Sequence, residues 1–187
     1  MQLALDRNVA CGDHLAMRTL MLMRHAKSSW ATPGLDDHER PLNKRGVKEA
    51  PRIGAYLAKN GLCPDLVLCS DAARTRATLS LVLSALGGTA PKVMFEPRLY
   101  LAEPAAITEV LARVEPAAMR VLVIGHNPGL HALALWLVGD GSAETIAELS
   151  MKFPTCALAV IDIERRGWES LEPGTGRLRH FVVGKHL

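Results

Sequence analysis

Apolar and polar positions along the chain alternate in a way that predicts short buried strands separated by amphipathic helices. Residues 19–23 form an apolar run that stops abruptly at Arg24-His25. Asn43 is placed to cap a helix whose apolar positions include Val47, Ile53, Tyr56 and Leu57, and which ends near Asn60-Gly61. Residues 65–69 read as the next strand, and a helix through Ala77, Leu81 and Val82 stops at Gly87-Gly88. A short strand over 92–95 leads into an irregular stretch. Pro104 can then occupy the first turn of a helix through Ile107, Val110 and Leu111. Residues 121–124 read as a buried strand broken by Gly125-His126-Asn127-Pro128-Gly129, and 130–138 as a helix ending at Gly139. After Phe153-Pro154 the period shortens to strands over 156–163, 168–171 and 178–183, with Arg165-Arg166-Gly167 as a turn.

This order predicts an α/β fold of three layers, α/β/α, with a mostly parallel central sheet and antiparallel edge strands from the C-terminal hairpins. No repeat, low-complexity tract or linker divides the chain, so residues 17–187 read as one domain around one core. Residues 1–16 stand apart. Asp6 and Arg7 interrupt any apolar core of a signal peptide, whereas Met17 opens the Met-Arg-Thr-Leu-Met-Leu-Met of the first strand. The segment reads as a flexible N-terminal extension, with a misassigned upstream start as the alternative.

Composition narrows the function classes. Lys and Arg number 22 against 19 Asp and Glu, a net charge of +3. That excess suits an anionic substrate and is too small and too dispersed for nucleic acid. Cys11, Cys63, Cys69 and Cys156 form no Cys-x-x-Cys pair, which fits reduced thiols in a cytoplasmic protein rather than a zinc or disulfide framework. No apolar run approaches the ~18 residues of a membrane span, so no membrane partner is expected.

The chemistry is positional. Three strand-like runs end in residues able to handle phosphate: Arg24-His25, Ser70 with Arg74 close behind, and His126. In a parallel sheet the C-terminal strand ends share one edge, where ligands bind. Two histidines and two arginines are therefore expected to converge, and arginine's planar fork suits phosphate. The other histidines, His14, His38, His131, His180 and His186, read as ordinary surface or satisfied core residues, and Arg76 as a helix-surface residue.

These motifs are recognisable. Arg24-His25-Ala26-Lys27-Ser28-Ser29-Trp30 resembles the first signature of the histidine phosphatase superfamily, also called phosphoglycerate mutase-like. Ser70 followed by Arg74 resembles its second motif, and Gly125-His126 its third. Arg40-Pro41-Leu42-Asn43 and Gly-His-Asn-Pro-Gly are similar to the SixA-like phosphohistidine phosphatase branch. Ala26 replaces the family's Gly, and Lys27 stands where mutases carry Glu. With so compact a chain, that argues against mutase activity.

The resemblance implies a hydrolase in which His25 attacks phosphorus and becomes a phosphohistidine, with Arg24, Arg74 and His126 around the phosphoryl oxygens. Ser28, Asn127 and Gly129 are expected as further substrate donors. Neither a metal nor another cofactor is expected. The expected substrate is phosphohistidine in a protein, such as a histidine-phosphotransfer protein, or else a small phosphate ester. Glu103 is the candidate general acid, with Asp36 or Asp37 as others; each also reads as a solvated loop carboxylate. An imidazole leaving group, with pKa ~6.5, lessens the need for an acid.

Three other readings compete. A Cys-dependent phosphatase would use Cys69, but Arg74 falls one residue short of that cradle's spacing and Arg76 one beyond. A small-molecule phosphomonoesterase acting on a sugar phosphate or nucleotide is the main alternative. The third is a phosphate-binding interaction module that has lost turnover.

Overall fold

Strand β1 (Ala16–Arg24) sends Leu20 and Leu22 to one side and Met21 and Met23 to the other, and all four are fully buried. Successive side chains of a strand point to opposite faces, so such a strand needs cover on both. The computed structural model describes residues 15–187 and supplies that cover with five helices. The elements that follow β1 are α1 (Lys44–Lys59), β2 (Leu66–Cys69), α2 (Ala73–Leu86), β3 (Lys92–Phe95), α3 (Pro104–Leu111) and β4 (Arg120–Gly125). Then come α4 (Gly129–Leu137), β5 (Val138–Gly141), α5 (Ala143–Met151), β6 (Ala157–Arg165) and β7 (Gly176–Val183).

Helices α1 and α2 cover one face through Ile53, Leu57, Leu79 and Val82, which meet Met21, Met23, Val67 and Leu122. The other face packs Ile107, Leu111, Leu133 and Leu137 of α3 and α4 on Leu20, Leu22, Val121 and Val123, with Leu149 of α5 joining them. The three-layer α/β/α arrangement is thus the one expected from the sequence. No helix among the described residues is long and apolar enough to cross a membrane.

The seven strands run in the order β3-β2-β4-β1-β6-β7-β5. β1, β2, β3 and β4 are mutually parallel, and Ile124 pairs with Met23 on one side and Cys69 on the other. Three strands therefore end level with one another, and the ladder runs one bond further, from His25 N to Gly125 O and from Ser70 N to Ile124 O.

Asn43 caps α1 as expected, its side chain accepting from Gly46 N at 2.9 Å. Four details differ. The antiparallel strand is β6, inside the sheet between β1 and β7, while the edge strands β3 and β5 lie parallel to their neighbours. α4 stops at Leu137 because Val138–Gly141 leaves the helix to pair with β7; its Gly-Asp-Gly carries no apolar alternation to announce a strand. α5, capped by Ser142, was not anticipated, since Leu149 is its one fully buried residue. Residues 168–171 form no strand: Trp168 turns inward and donates Nε1–H to Ala118 O at 2.8 Å. Of residues 1–16, read as an N-terminal extension, 1–14 lie outside the described residues, and Ala16 belongs to β1, paired with Arg165.

Candidate active site

Because β1, β2 and β4 end level, the residues that follow them meet at one edge. His25 is only 8% exposed. Its Nδ1 lies 2.7 Å from the carbonyl oxygen of Ala26, which can only accept, so Nδ1 carries the proton and Nε2 keeps a lone pair. Burial, reinforced by Arg74, Arg24 and Arg40, lowers its pKa to about 4, and the ring is neutral at pH 7. The loop holding it is anchored on α2. Ala26 N donates to Thr78 Oγ1 at 3.0 Å, and that hydroxyl donates to Arg74 O at 2.6 Å.

His126 is fully buried, its ring centroid 5.2 Å from that of His25. Arg74 Nη2 donates to its Nδ1 at 3.3 Å, so Nε2 carries the proton and donates to Ser70 Oγ at 2.9 Å. Burial, with His25 and Arg74 beside it, lowers its pKa to about 3. The tautomers of both rings are therefore set by fixed partners.

The arginines are held differently. Arg24 donates Nη1–H to Phe153 O at 2.9 Å, while its Nε is buried with no partner. It has no carboxylate partner among the described residues, and burial lowers its pKa. Arg74 donates to both the main-chain oxygen and Oδ2 of Asp37, the latter at 2.9 Å. Arg40 reaches Asp37 Oδ1 and Ser28 Oγ, each at 2.6 Å, and Ser29 O at 3.0 Å. Tyr100 Oη donates to Asp37 Oδ2 at 2.7 Å, and its ring meets His126 edge-on at 5.2 Å. The Tyr100 hydrogen bond, with those of Arg40 and Arg74, lowers the Asp37 pKa to about 2. Asp37 is thus not a free loop carboxylate but an ionised anchor for two arginines.

These residues line a cleft of about 370 Å³ bounded by Arg24, His25, Lys27, Ser28, Trp30, Asp37, Arg40, Arg74, Leu101, His126, Asn127 and Thr155. Four cationic side chains there face a single carboxylate, an environment for an anion. Among the described residues no group of three His, Cys, Asp or Glu side chains is gathered to hold a metal ion.

Arg24, His25, Ser28, Arg74, His126 and Asn127 all meet in this cleft, as the sequence motifs suggested. Two expected members do not. Gly129 is buried at the start of α4, where an added Cβ would sit 1.8 Å from Ala102 O, so its role is close packing. Glu103 is exposed at the N-cap of α3 and lines no part of the cleft. Arg76 lies outside, its guanidinium 4.6 Å from the Phe95 ring centroid. Cys69 is buried in the sheet core with its thiol pushed up to about 12, unlike an activated nucleophile.

The sequence offered Asp37 as an alternative general acid or a solvated loop carboxylate rather than as an anchor for arginines, and left Tyr100 and Thr78 unassigned. Asp37 sits among other polar residues of its loop (Asp36, His38, Glu39), and neither Tyr100 nor Thr78 belongs to a motif. Trp30 and Arg40 stood inside motif strings, which was the available signal.

Known proteins resemble this chain in both sequence and fold. A family model described as the histidine phosphatase superfamily (branch 1) matches residues 20–100. An uncharacterized protein of Mycobacterium tuberculosis (strain H37Rv) is 40% identical over 163 residues, covering 86% of this chain and 99% of that protein. The structure of a candidate phosphohistidine phosphatase SixA from Nakamurella multipartitia superposes with a TM-score of 0.76 at 33% identity, covering 91% of this chain and 98% of its own. Its counterpart from Agrobacterium tumefaciens gives 0.74 at 31%, covering 89% and 97%.

Proposed function

This chain belongs to the histidine phosphatase superfamily, in its SixA-like branch, and is a phosphatase; from that premise we propose that it hydrolyses phosphohistidine in a protein, with His25 as nucleophile. The observation that carries the substrate choice is the single cleft carboxylate. Asp37, with a pKa of about 2, is ionised and has no proton to give. An alkoxide leaving group needs a proton from an acid, whereas imidazole, with pKa ~6.5, departs without a strong one. The SixA-like neighbours support the same substrate class.

In the proposed reaction the substrate phosphoimidazole takes a proton from solvent on its free ring nitrogen, the Nε2 lone pair of His25 attacks phosphorus in line as the bond from phosphorus to the substrate ring breaks, and that ring leaves as neutral imidazole. Water then attacks the phosphoryl group on His25, releasing inorganic phosphate and returning the ring to its neutral form. The Ala26 carbonyl keeps Nδ1 protonated throughout, so Nε2 remains the nitrogen that attacks. Arg24 brings a buried N–H without a partner, and Arg74 and His126 complete the surround of the phosphoryl oxygens. Positioning and electrostatics supply most of the catalysis in phosphoryl transfer, and four cations in a small cleft fit that demand.

The test is turnover of a phosphorylated histidine-phosphotransfer protein, with chemical quench during the reaction. Acid-labile, alkali-stable label on His25, and no turnover by His25→Ala, are expected. Label elsewhere would remove His25 from its role. Turnover of small esters with none of phosphohistidine would make the protein a small-molecule phosphomonoesterase.

A further inference from the structure

Trp30 is 74% exposed, yet it lines the same cleft as His25 and Arg74. A lone exposed aromatic is ordinary; one fixed rigidly at the mouth of a phosphate cleft is not. The fixing is done by Arg40, itself 8% exposed. Its guanidinium carbon lies 3.1 Å from the Trp30 ring centroid. The same guanidinium donates to Ser29 O, Asp37 Oδ1 and Ser28 Oγ, so it cannot swing away without breaking three hydrogen bonds. The indole is therefore supported by a cation that is locked to the cleft wall, while most of its surface remains open to water.

We propose that Trp30 is a specificity residue, whose open surface stacks on the planar ring that carries the phosphoryl group. A phosphoryl group seated among Arg24, Arg74 and His126 leaves its ester or amide substituent projecting to the mouth, where Trp30 stands. A flat imidazole or aryl ring can lie against the indole; an alkyl group or bare amine gains little there. The Arg40 cation draws electron density from the indole and makes it a better partner for an electron-rich ring. This inference rests on the phosphohistidine reading for its natural substrate, but its physical content is broader: a preference for rings over ringless groups.

Two matched pairs test it. Phosphoimidazole and phosphoramidate both break a P–N bond, with and without a ring; phenyl phosphate and ethyl phosphate do the same for P–O. The readout is the ratio of KM values within each pair. Trp30→Ala should shrink the preference for the ring by about two- to tenfold, the scale of one aromatic contact, and Trp30→Phe should keep most of it. Trp30→Leu retains apolar cover over Arg40 without an aromatic plane, and should lose the preference as Ala does. An unchanged ratio in Trp30→Ala, or a Leu variant that behaves like Phe, would overturn the proposal. A wild type that turns over phenyl phosphate but not phosphoimidazole would defeat the phosphohistidine reading instead, and the P–O pair would still decide the role of Trp30.

Discussion

Asp37 and Arg74 meet twice, once through Oδ2 at 2.9 Å from Nη2 and once through the Asp37 main-chain carbonyl, which accepts from Nη1. A loop residue thereby sets the orientation of a buried guanidinium that also donates to His126. The pair joins the loop after β1 to the start of α2, so the guanidinium is already aimed into the cleft.

Asp37→Asn removes the charge that holds Arg74 and Arg40 but leaves the side chain's shape. Because Asp37 is partly exposed, we expect a moderate fall in kcat, about tenfold, on phosphohistidine. KM should stay level or drop, since the cleft becomes more cationic. The sequence alone suggested little effect, because it presented Asp37 as a solvated loop carboxylate. Steady-state kinetics separates the cases: a loss confined to alkyl esters would point to a proton donor, and a pure KM rise would contradict the positioning role.

Arg74→Lys keeps one positive charge and discards the fork that serves Asp37 and His126 together. Activity should fall by roughly 10- to 100-fold. Arg76→Lys, two positions on and packed over Phe95, should stay within about twofold of wild type. Sensitivity at Arg76 rather than Arg74 would mean that α2 presents the other arginine to the substrate.

Neither His25 nor His126 should titrate between about pH 5.5 and 8, because their pKa values are lowered to about 4 and about 3. His38, held by Asp71 and Glu39, should titrate above the usual imidazole value. The linkage sign follows. Between pH ~6.5 and about 4 the unfolded chain binds protons that these two folded rings refuse, so stability falls as pH falls through that window. NMR of the imidazole C–H signals, with Tm against pH, checks both statements. A His25 that titrates near 6.5 in the free protein would show a ring less buried than the cleft geometry requires.

Gly129→Ala forces a Cβ to within 1.8 Å of the Ala102 carbonyl, a backbone atom that cannot step aside alone. Overpacking of this kind costs ~1–3 kcal/mol, which in a chain of this size lowers Tm by about 2–12 °C. α4 begins three residues after His126, and Leu130 N donates to His126 O at 3.1 Å, so activity should fall alongside stability. Thermal unfolding with wild-type Tm would show that the helix start relaxes freely.

Much of this protein was legible in its sequence. The runs at 19–23, 65–69 and 121–124 read as buried strands, and a polar phosphate-handling residue directly beyond each had to lie at a shared sheet edge if the strands were parallel. That reasoning is local: it needs only the strand period and the position where the period breaks. It placed Arg24, His25, Arg74 and His126 together, and motif resemblance added Ser28 and Asn127. What only tertiary structure decided was long-range pairing. The placement of β6 inside the sheet depends on which strand edges remain free after β1 and β4 have paired, and no run of residues records that. Arg74 and Tyr100 reach Asp37 from segments distant in the chain, Arg40 ties Ser28, Ser29 and Asp37 together within the loop after β1, and Gly129 is packed against the Ala102 carbonyl just before α3. Side-chain type and spacing announce the groups able to do chemistry; which of them are aimed, neutralised or turned away is settled by neighbours distant in the chain.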